Sequence, residues 1–478
     1  MNGTADGLAD TFLSCSSGRG DCDLATRNHQ GHHANGSDHI QDGPIDSISD
    51  LRVELGVKRL VAGSQNLVKN TVRPIVNVAR LSLIIVSMTA LLVTTEVLNS
   101  AVGAATTKVT PVSFSFVGTT EIQSISCVGK QYCVALGSSK SSGSLVITKR
   151  NGTWGKPVDF STSFPTSDGV LNSVSCIRVE ECVASGFGFN KENVAYPMLL
   201  WQYQGHWGVP DVPNLTMGGR LTQPVLYSAS CASVGSCTTV GYGVLRGTHH
   251  AMGIAIRETN GVWSGSSAVP TNERKASPFT ALRLSCPTSG ECVAAGDGVQ
   301  KKLCCTEIVT RSHGVWASPS FAADTLEGVS NLHAYVRDLS CFGTAGNCLL
   351  LEVYYTSNGT PEYFSVREHD GIWGQGDPIH PGLSKRGYNL LYGLSCVSSR
   401  ACTAVGYKAV ATGRFEALVE QYIDGQWLPA QLVNPDGATD TSSALVTVTC
   451  TEARCTAGGS GTFHGQKTGV VITFRLQS

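Results

Sequence analysis

GLSCVSSRACTAVG, residues 393–406, is one of seven copies of a motif that runs through most of this chain. Two cysteines, Cys396 and Cys402, stand between two short runs that are typical of β-strands. The first cysteines of successive copies follow each other at steps of 49 to 55 residues. Self-similarity at a nearly fixed period indicates a repeat architecture, in which each copy is one supersecondary unit.

The seven copies share three features besides the cysteines. A hydroxyl residue precedes every first cysteine, and a glycine lies four residues after the second cysteine in six copies, with Glu352 as the exception. Five pairs are separated by five residues, one pair by six and one by four. The fourteen cysteines are Cys127, Cys133, Cys176, Cys182, Cys231, Cys237, Cys286, Cys292, Cys341, Cys348, Cys396, Cys402, Cys450 and Cys455.

A second motif, X-Gly-x-Trp, alternates with the first. It occurs as NGTW (151–154), QGHW (204–207), NGVW (260–263), HGVW (313–316), DGIW (370–373) and DGQW (424–427). Each copy follows a strand-like run, and an X-Gly pair between two strands predicts a tight hairpin turn because glycine accepts a positive φ. We interpret the tryptophan as a packing anchor between layers; a role in ligand binding is the alternative.

Each repeat therefore contains four short strands, and seven repeats predict an all-β, seven-bladed β-propeller with four antiparallel strands per blade over residues 107–478. The chain ends in GVVITFRLQS, which has no fourth strand after it. TPVSFSF (110–116) resembles KPVDFSTSF (156–164), the fourth-strand text of the first repeat. We therefore expect the N-terminal strand to complete the last blade as a 3+1 blade, which removes the open edge.

The paired cysteines could bind metal, carry redox chemistry or form disulfides. Zinc sites usually need four ligands at closer spacings, and redox motifs favour two intervening residues. Two cysteines at either end of a hairpin turn instead lie near disulfide distance, so we predict seven disulfides and an oxidising compartment. Cys304 and Cys305 lie outside the pattern and could form a vicinal disulfide, free thiols or a weak metal site.

The N-terminal region differs from the repeats. Residues 1–80 form a disordered and then basic region: residues 1–50 are polar and are predicted to be disordered, and residues 51–80 could form a basic, moderately amphipathic segment. The apolar run LSLIIVSMTALLVTT (81–95) is followed by small residues, so segment 81–105 is interpreted as a signal peptide or, alternatively, an uncleaved signal-anchor helix. Both interpretations send the propeller outside the cytoplasm.

Composition narrows the classes of function. The 35 basic and 36 acidic residues nearly balance, so no overall positive field favours nucleic acid. The sequence contains neither an H-E-x-x-H nor a G-x-S-x-G motif, and no cofactor or metal site is predicted.

The repeats of residues 107–478 resemble those of secreted bacterial seven-bladed propellers that carry an SC-x5-C-x-A-x-G core and a DG-x-W turn. In architecture the chain is also similar to kelch, NHL and sialidase-type propellers. The X-Gly-x-Trp turn resembles the sialidase Asp-box, but only Asp370 and Asp424 supply its acid and the upstream pattern is missing. The resemblance therefore implies a blade turn and not sialidase catalysis.

The two faces of the predicted propeller differ. The cysteine turns and the X-Gly turns share one face, here called the staple face. The other face, here called the variable-loop face, carries loops that differ in length and content, and binding residues usually lie on such loops. These loops include FNKENVAYPM (189–198), VLRGTHHAMG (244–253), QKKLCCTE (300–307), VYYTSNGTPEY (353–363) and FHGQKTG (463–469). The predicted binding residues are Tyr196, Arg246, His249, His250, Tyr354, Tyr355, Tyr388 and His464.

We expect a secreted or membrane-attached extracytoplasmic monomer that binds a glycan, peptide or cell-surface protein through the variable-loop face. Contact with a membrane is expected only through residues 81–105, if they are not cleaved. The alternative is a carbohydrate-active hydrolase or lyase with acid and base residues at the mouth of the central channel. A third option is a structural envelope protein without a small ligand.

Overall fold

The computed structural model describes the repeat region and one short N-terminal hairpin. No helix of the described residues is long and apolar enough to cross a membrane. Apart from the hairpin, the predicted N-terminal regions 1–80 and 81–105 lie outside the described residues, which are 13–15, 22–24, 109, 111–161, 169–209, 211–213, 221–247, 251–270, 280–300, 303–321, 334–343, 346–355, 360–379, 389–411, 414–433, 442–452 and 454–476.

The described chain is built from β-strands, which we number in chain order. The N-terminal hairpin consists of β1 (Leu13–Cys15) and β2 (Cys22–Leu24). Blade 1 contains β4 (Glu121–Val128), β5 (Tyr132–Ser138), β6 (Leu145–Arg150), β7 (Thr153–Trp154) and β8 (Val158–Asp159). Blade 2 contains β9 (Val170–Arg178), β10 (Glu181–Phe189), β11 (Ala195–Tyr203) and β12 (His206–Trp207). Blade 3 contains β13 (Leu221–Ser233), β14 (Ser236–Leu245), β15 (Ala251–Thr259), β16 (Val262–Trp263) and β17 (Ser267–Ala268).

The remaining four blades repeat the same order. Blade 4 contains β18 (Thr280–Thr288), β19 (Glu291–Gln300), β20 (Leu303–Ser312), β21 (Val315–Trp316) and β22 (Ser320–Phe321). Blade 5 contains β23 (Ala334–Cys341), β24 (Cys348–Tyr355), β25 (Pro361–His369) and β26 (Ile372–Ile379). Blade 6 contains β27 (Asn389–Ser398), β28 (Ala401–Ala411), β29 (Arg414–Ile423), β30 (Gln426–Trp427) and β31 (Gln431–Leu432). Blade 7 contains β32 (Ser442–Thr451), β33 (Arg454–Phe463), β34 (Gln466–Arg475) and β3 (Pro111–Phe116).

The seven sheets form a closed ring, which confirms the predicted seven-bladed propeller. The first strand of each blade contacts the first strands of both neighbouring blades, and β32 of blade 7 contacts β4 of blade 1. The N-terminal strand β3 pairs antiparallel with β34, with Phe114 opposite Ile472. Blade 7 is therefore the expected 3+1 blade, and the first strands surround the central channel.

The seven predicted disulfides are present. Each joins the first and second strands of one blade with the two Cα atoms 4.0 Å apart, and in six of the seven blades the cysteines lie opposite each other in the ladder. Cys396 pairs with Cys402, so the motif quoted first is a cross-linked hairpin. Cys304 and Cys305 lie on β20, opposite Val299 and Gly298.

The X-Gly-x-Trp motifs form the predicted hairpin turns. Both turn residues have positive φ in all six copies, 48° to 52° at the first and 80° to 97° at the glycine, which is the geometry of a type I′ turn. All six tryptophans are half-buried and pack against the hydrophobic clusters that fill the spaces between blades. This packing confirms the interpretation of the tryptophans as anchors.

The hydroxyl residue before each first cysteine links one blade to the next. The amide of Cys396 in blade 6 donates to the Ser340 Oγ of blade 5 at 2.9 Å. The same bond, from a first cysteine to the serine one blade earlier, occurs at six of the seven junctions between described first strands. The accepting hydroxyls are those of Ser126, Ser175, Ser230, Ser285, Ser340 and Ser395.

A β-bulge in every first strand explains the motif glycine. The residue four positions before the first cysteine is left out of the ladder in all seven blades. Just before the bulge, a backbone carbonyl turns towards the second strand. A Cβ on Gly406 would lie 1.7 Å from the Leu390 carbonyl oxygen, and the other five motif glycines would meet the equivalent oxygen at 1.7 to 2.5 Å. In these six blades the close approach of the two backbones leaves no room for a Cβ and favours glycine, whereas blade 5 carries Glu352 beside the same bulge.

We expect Gly406→Ala to destabilise the protein by about 3 kcal/mol or more, because the added methyl group collides with backbone that cannot rotate away. Thermal unfolding under non-reducing conditions measures the effect. Gly374→Ala is the matched control, since its Cβ would lie 3.4 Å from the nearest atom, and it should cost less than about 0.5 kcal/mol. Equal destabilisation by both substitutions would contradict the bulge explanation.

Glu420 breaks the apolar pattern of the third strands. It is 1% exposed, and its Oε2 atom has no hydrogen-bond partner among the described residues. Burial raises the pKa of Glu420 to about 8. The other six blades place an aliphatic residue at this point of the ladder, namely Ile147, Leu200, Ile256, Val309, Val366 and Ile472. Glu420 therefore occupies a core position at the expense of stability.

We expect Glu420→Leu to stabilise the protein, and the gain to depend on pH. The pKa of Glu420 is raised from 4.5 to about 8, so its destabilising contribution is absent below about pH 4.5, grows as the pH rises between the two pKa values and is complete above about pH 8. The gain should therefore grow across this window to roughly 2–4 kcal/mol at pH 8. Thermal unfolding at pH 4 to 8 measures it, with exposed Glu192→Gln as a control that should change nothing. A gain that is equal at pH 4 and pH 8 would show that the carboxyl group is not its source.

Candidate functional site

The described part of the chain contains five of the eight predicted binding residues. Tyr196 is half-buried on blade 2, and Arg246 is exposed at the end of β14 on blade 3. His464 is exposed on blade 7 and has φ of 49°, because it is the first residue of a type I′ turn. The remaining two, Tyr354 and Tyr355, are neighbours on blade 5, and the three outside the described residues are His249, His250 and Tyr388.

A cluster of charged and aromatic side chains lies near the end of β24, whose last two residues are Tyr354 and Tyr355. First strands begin, and second strands end, on the variable-loop face. The bulge residue of a first strand and the residue after the motif glycine of a second strand therefore meet at the channel mouth on this face. In blades 3 to 6 these positions and their neighbours hold Tyr227, Tyr242, Arg283, Asp297, Arg337, Asp338, Tyr392 and Tyr407, here called the channel-mouth cluster.

Arg337, the bulge residue of blade 5, is central to the cluster. Its Nη2 atom donates to the Tyr355 hydroxyl at 2.9 Å, and its guanidinium lies 5.1 Å from the centre of the Tyr392 ring. A guanidinium over an aromatic face is held by cation–π attraction as well as by its hydrogen bond. Arg337 therefore fixes one predicted residue, Tyr355, against blade 6.

Arg283 and Asp338 form an ion pair between blades 4 and 5. The Nε atom of Arg283 lies 3.6 Å from Asp338 Oδ1 and also donates to the Arg337 carbonyl oxygen at 2.7 Å. Asp338 accepts two further bonds, from the Leu339 amide to Oδ1 and from the Leu394 amide to Oδ2. Burial raises the pKa of Asp338. Both of its oxygens accept hydrogen bonds from the protein, so Asp338 links blades 4, 5 and 6.

Asp297 is the carboxyl group of the cluster with unused acceptor capacity. Its Oδ1 atom accepts the Val336 amide at 3.2 Å, whereas its Oδ2 atom accepts no hydrogen bond from the described residues. The Asp297 side chain is surrounded by protein but remains partly accessible to solvent, as expected for a group inside a narrow channel. This burial raises the pKa of Asp297 to about 6, against the opposing effects of the Val336 amide and of Arg337.

Two stacked tyrosine pairs flank the charged residues. Tyr227 and Tyr242 of blade 3 lie 5.8 Å apart with ring planes 17° from parallel. Tyr392 and Tyr407 of blade 6 occupy the same two repeat positions, at 5.8 Å and 20°. Burial raises the pKa of Tyr227 and of Tyr407, so both hydroxyls stay protonated and able to donate.

Six of these eight cluster residues occupy the two repeat positions just described, and the sequence analysis missed all eight. Blades 1, 2 and 7 place smaller or uncharged residues there, namely Gln123, Ser138, Asn172, Phe187, Val446 and Ser460. The signal that could have found the cluster is the departure of blades 3 to 6 from the other copies. No group of three or more metal-ligating side chains occurs among the residues that the structure describes.

No protein-family model and no curated protein sequence matches the chain. Solved structures are similar to it in fold. A PL25 ulvan lyase matches with a TM-score of 0.49 and 9% identity over 77% of this chain and 94% of that one. A second polysaccharide lyase gives 0.48 and 8% over 74% and 90%, and a Hadza microbial sialidase gives 0.43 and 10% over 73% and 74%. At these identities the likeness extends to the propeller fold alone.

Proposed function

We propose that the protein is an extracytoplasmic binding module that takes a hydroxyl-rich saccharide at the channel mouth of its variable-loop face. The observation that carries the proposal is the channel-mouth cluster, which places basic, acidic and aromatic side chains on four consecutive blades. Seven disulfides support an oxidising environment outside the cytoplasm. We also propose that the protein is secreted.

The balance of charge favours a saccharide over an ionic ligand. Arg283 and Arg337 are offset by Asp338 and Asp297, so the mouth has no strong net charge when both carboxyl groups are ionised. It offers hydrogen-bond donors and acceptors side by side, which match sugar hydroxyls that both donate and accept. The stacked tyrosines add apolar faces to the same region, as binding sites for small molecules usually do.

A carbohydrate-active enzyme is the second candidate, and Asp297 is the observation that favours it. A carboxyl group with a pKa of about 6 can act as a general acid near neutral pH. Glycoside hydrolysis needs a second carboxylate with free acceptor capacity, whereas Asp338 is occupied by Arg283 and two amides. The described residues therefore support binding better than hydrolysis.

Arg337→Gln should weaken saccharide binding by at least about tenfold, because it removes the guanidinium that positions Tyr355 and faces the channel. Binding is measured with the full chain on an array of neutral and acidic oligosaccharides, followed by calorimetry with the strongest neutral binder. Arg150→Gln on the staple face is the matched control and should leave the affinity unchanged. The proposal is wrong if no neutral oligosaccharide binds, or if Arg337→Gln binds it like the unmodified protein.

Affinity should fall as the pH drops through about 6, because protonated Asp297 is a weaker acceptor for a sugar hydroxyl than the carboxylate. Arg283, Arg337 and Asp338 face the same region, and burial also raises the pKa of Asp338, which therefore contributes to the acidic part of the profile. Asp297→Asn should therefore bind weakly at all pH values and flatten most of the profile. Calorimetry between pH 5 and pH 8 measures both effects.

Incubation with the bound oligosaccharide separates the two candidate functions. A binding module should release neither new reducing ends nor unsaturated sugar products. Product formation that is lost in Asp297→Asn would instead establish the enzyme candidate.

A further inference from the structure

A second concave feature lies on the staple face, between blades 5 and 6. It has a volume of about 420 Å³ and is formed by the turns and strand ends of the two blades. Its central residues are Arg367 and His369 of blade 5 and Arg400, Tyr422 and Asp424 of blade 6. We call it the blade 5–6 pocket. Pockets of this size accommodate a small sugar-sized molecule.

Arg367 is held rigidly at this pocket. Its guanidinium carbon lies 4.7 Å from the centre of the Tyr422 ring, and its Nη1 atom donates to the Ser399 carbonyl oxygen at 2.7 Å. Its Nη2 atom is buried and has no hydrogen-bond partner among the described residues. An unpaired buried donor on a charged group is costly, so an acceptor that reaches Nη2 regains this free energy on binding.

The charge around Arg367 favours an anion. At the rim, the Arg400 Nε atom donates to Asp424 Oδ1 at 2.6 Å, so these two exposed charges offset each other. Glu368 is fully buried beside Arg367, and burial raises its pKa to about 7. Near neutral pH a large fraction of Glu368 is therefore uncharged, and the positive charge of Arg367 is left without a full counter-ion in the pocket.

The same strand position in the other blades shows that this arrangement is specific to blades 5 and 6. Arg257 of blade 3 is the only other arginine at that point of the ladder, opposite Thr238 as Arg367 is opposite Leu349. Arg257 faces Arg311 of blade 4 and not a tyrosine ring. Burial lowers the pKa of Arg311, and the repulsion between the two positive charges contributes to this lowering. The remaining blades place Thr148, Trp201, Thr310, Gln421 and Thr473 there.

We propose that the blade 5–6 pocket is a second binding site, which accepts the carboxylate or sulfate group of a sugar-sized anionic ligand with Arg367 Nη2 as its main donor. Tyr422 and Ser399 preorganise the guanidinium, so little ordering is required on binding. The site lies on the face opposite the channel-mouth cluster and does not depend on the saccharide site proposed there.

Calorimetric titration of the full chain at pH 7 tests this proposal, with glucuronate, galactose 6-sulfate and uncharged glucose as the three probes. The first two probes distinguish a carboxylate from a sulfate source, and at least one of them should bind while glucose does not. Arg367→Gln should weaken that binding by at least about tenfold. Arg257→Gln, at the equivalent position of blade 3, should change it by less than about twofold.

Two further variants keep the outcome unambiguous. Arg367→Lys retains the charge but loses the planar fork, so it should bind more weakly than the unmodified protein and more strongly than Arg367→Gln; thermal unfolding checks that both variants are folded. Binding of neither anionic probe, equal binding of glucose, or unchanged binding by folded Arg367→Gln would each overturn the proposal. Loss of anion binding in Arg337→Gln, together with unchanged anion binding in Arg367→Gln, would place the anion site at the channel mouth. That result would reject the proposed site in the blade 5–6 pocket but not the saccharide site.

Discussion

A hydrogen bond between neighbouring first strands holds this propeller together, and the rest of the structure depends on it. The amide of a first cysteine donates to a serine hydroxyl one blade earlier, as Cys396 does to Ser340. The disulfide at the same cysteine fixes the second strand, so one residue couples contact between blades to contact within a blade. Each such hydrogen bond contributes only about 1 kcal/mol, but its repetition around the channel fixes the spacing of all seven blades.

Much of the fold could be predicted from the sequence because the repeats carry the information seven times over. The cysteine pairs, the X-Gly turns and the unpaired last strand each indicate one structural element, and together they leave one architecture. The channel-mouth cluster could not be predicted in the same way. Arg337 and Asp297 differ from the residues in the other copies, and their proximity depends on a bulge whose position the sequence analysis did not predict.

Blades 5 and 6 each carry one departure from the repeat pattern in a core position. Glu352 replaces the motif glycine in blade 5, and Glu420 replaces an aliphatic core residue in blade 6. Natural sequences break such local rules mainly where function requires it. The blade 5–6 pocket lies on the staple face of these two blades, whereas the channel-mouth cluster extends over blades 3 to 6 on the opposite face.

The 3+1 closure of blade 7 also governs how the chain must fold. Strand β3, at residues 111–116, finds its partner only in residues 470–474, at the other end of the propeller. Contacts so far apart in sequence make folding slow, because loop-closure entropy is lost before the pairing is gained. During synthesis, an unpaired strand edge therefore persists until the last blade is complete. The hairpin disulfides, which need only local contacts, can form earlier and give each blade persistent structure before the ring closes.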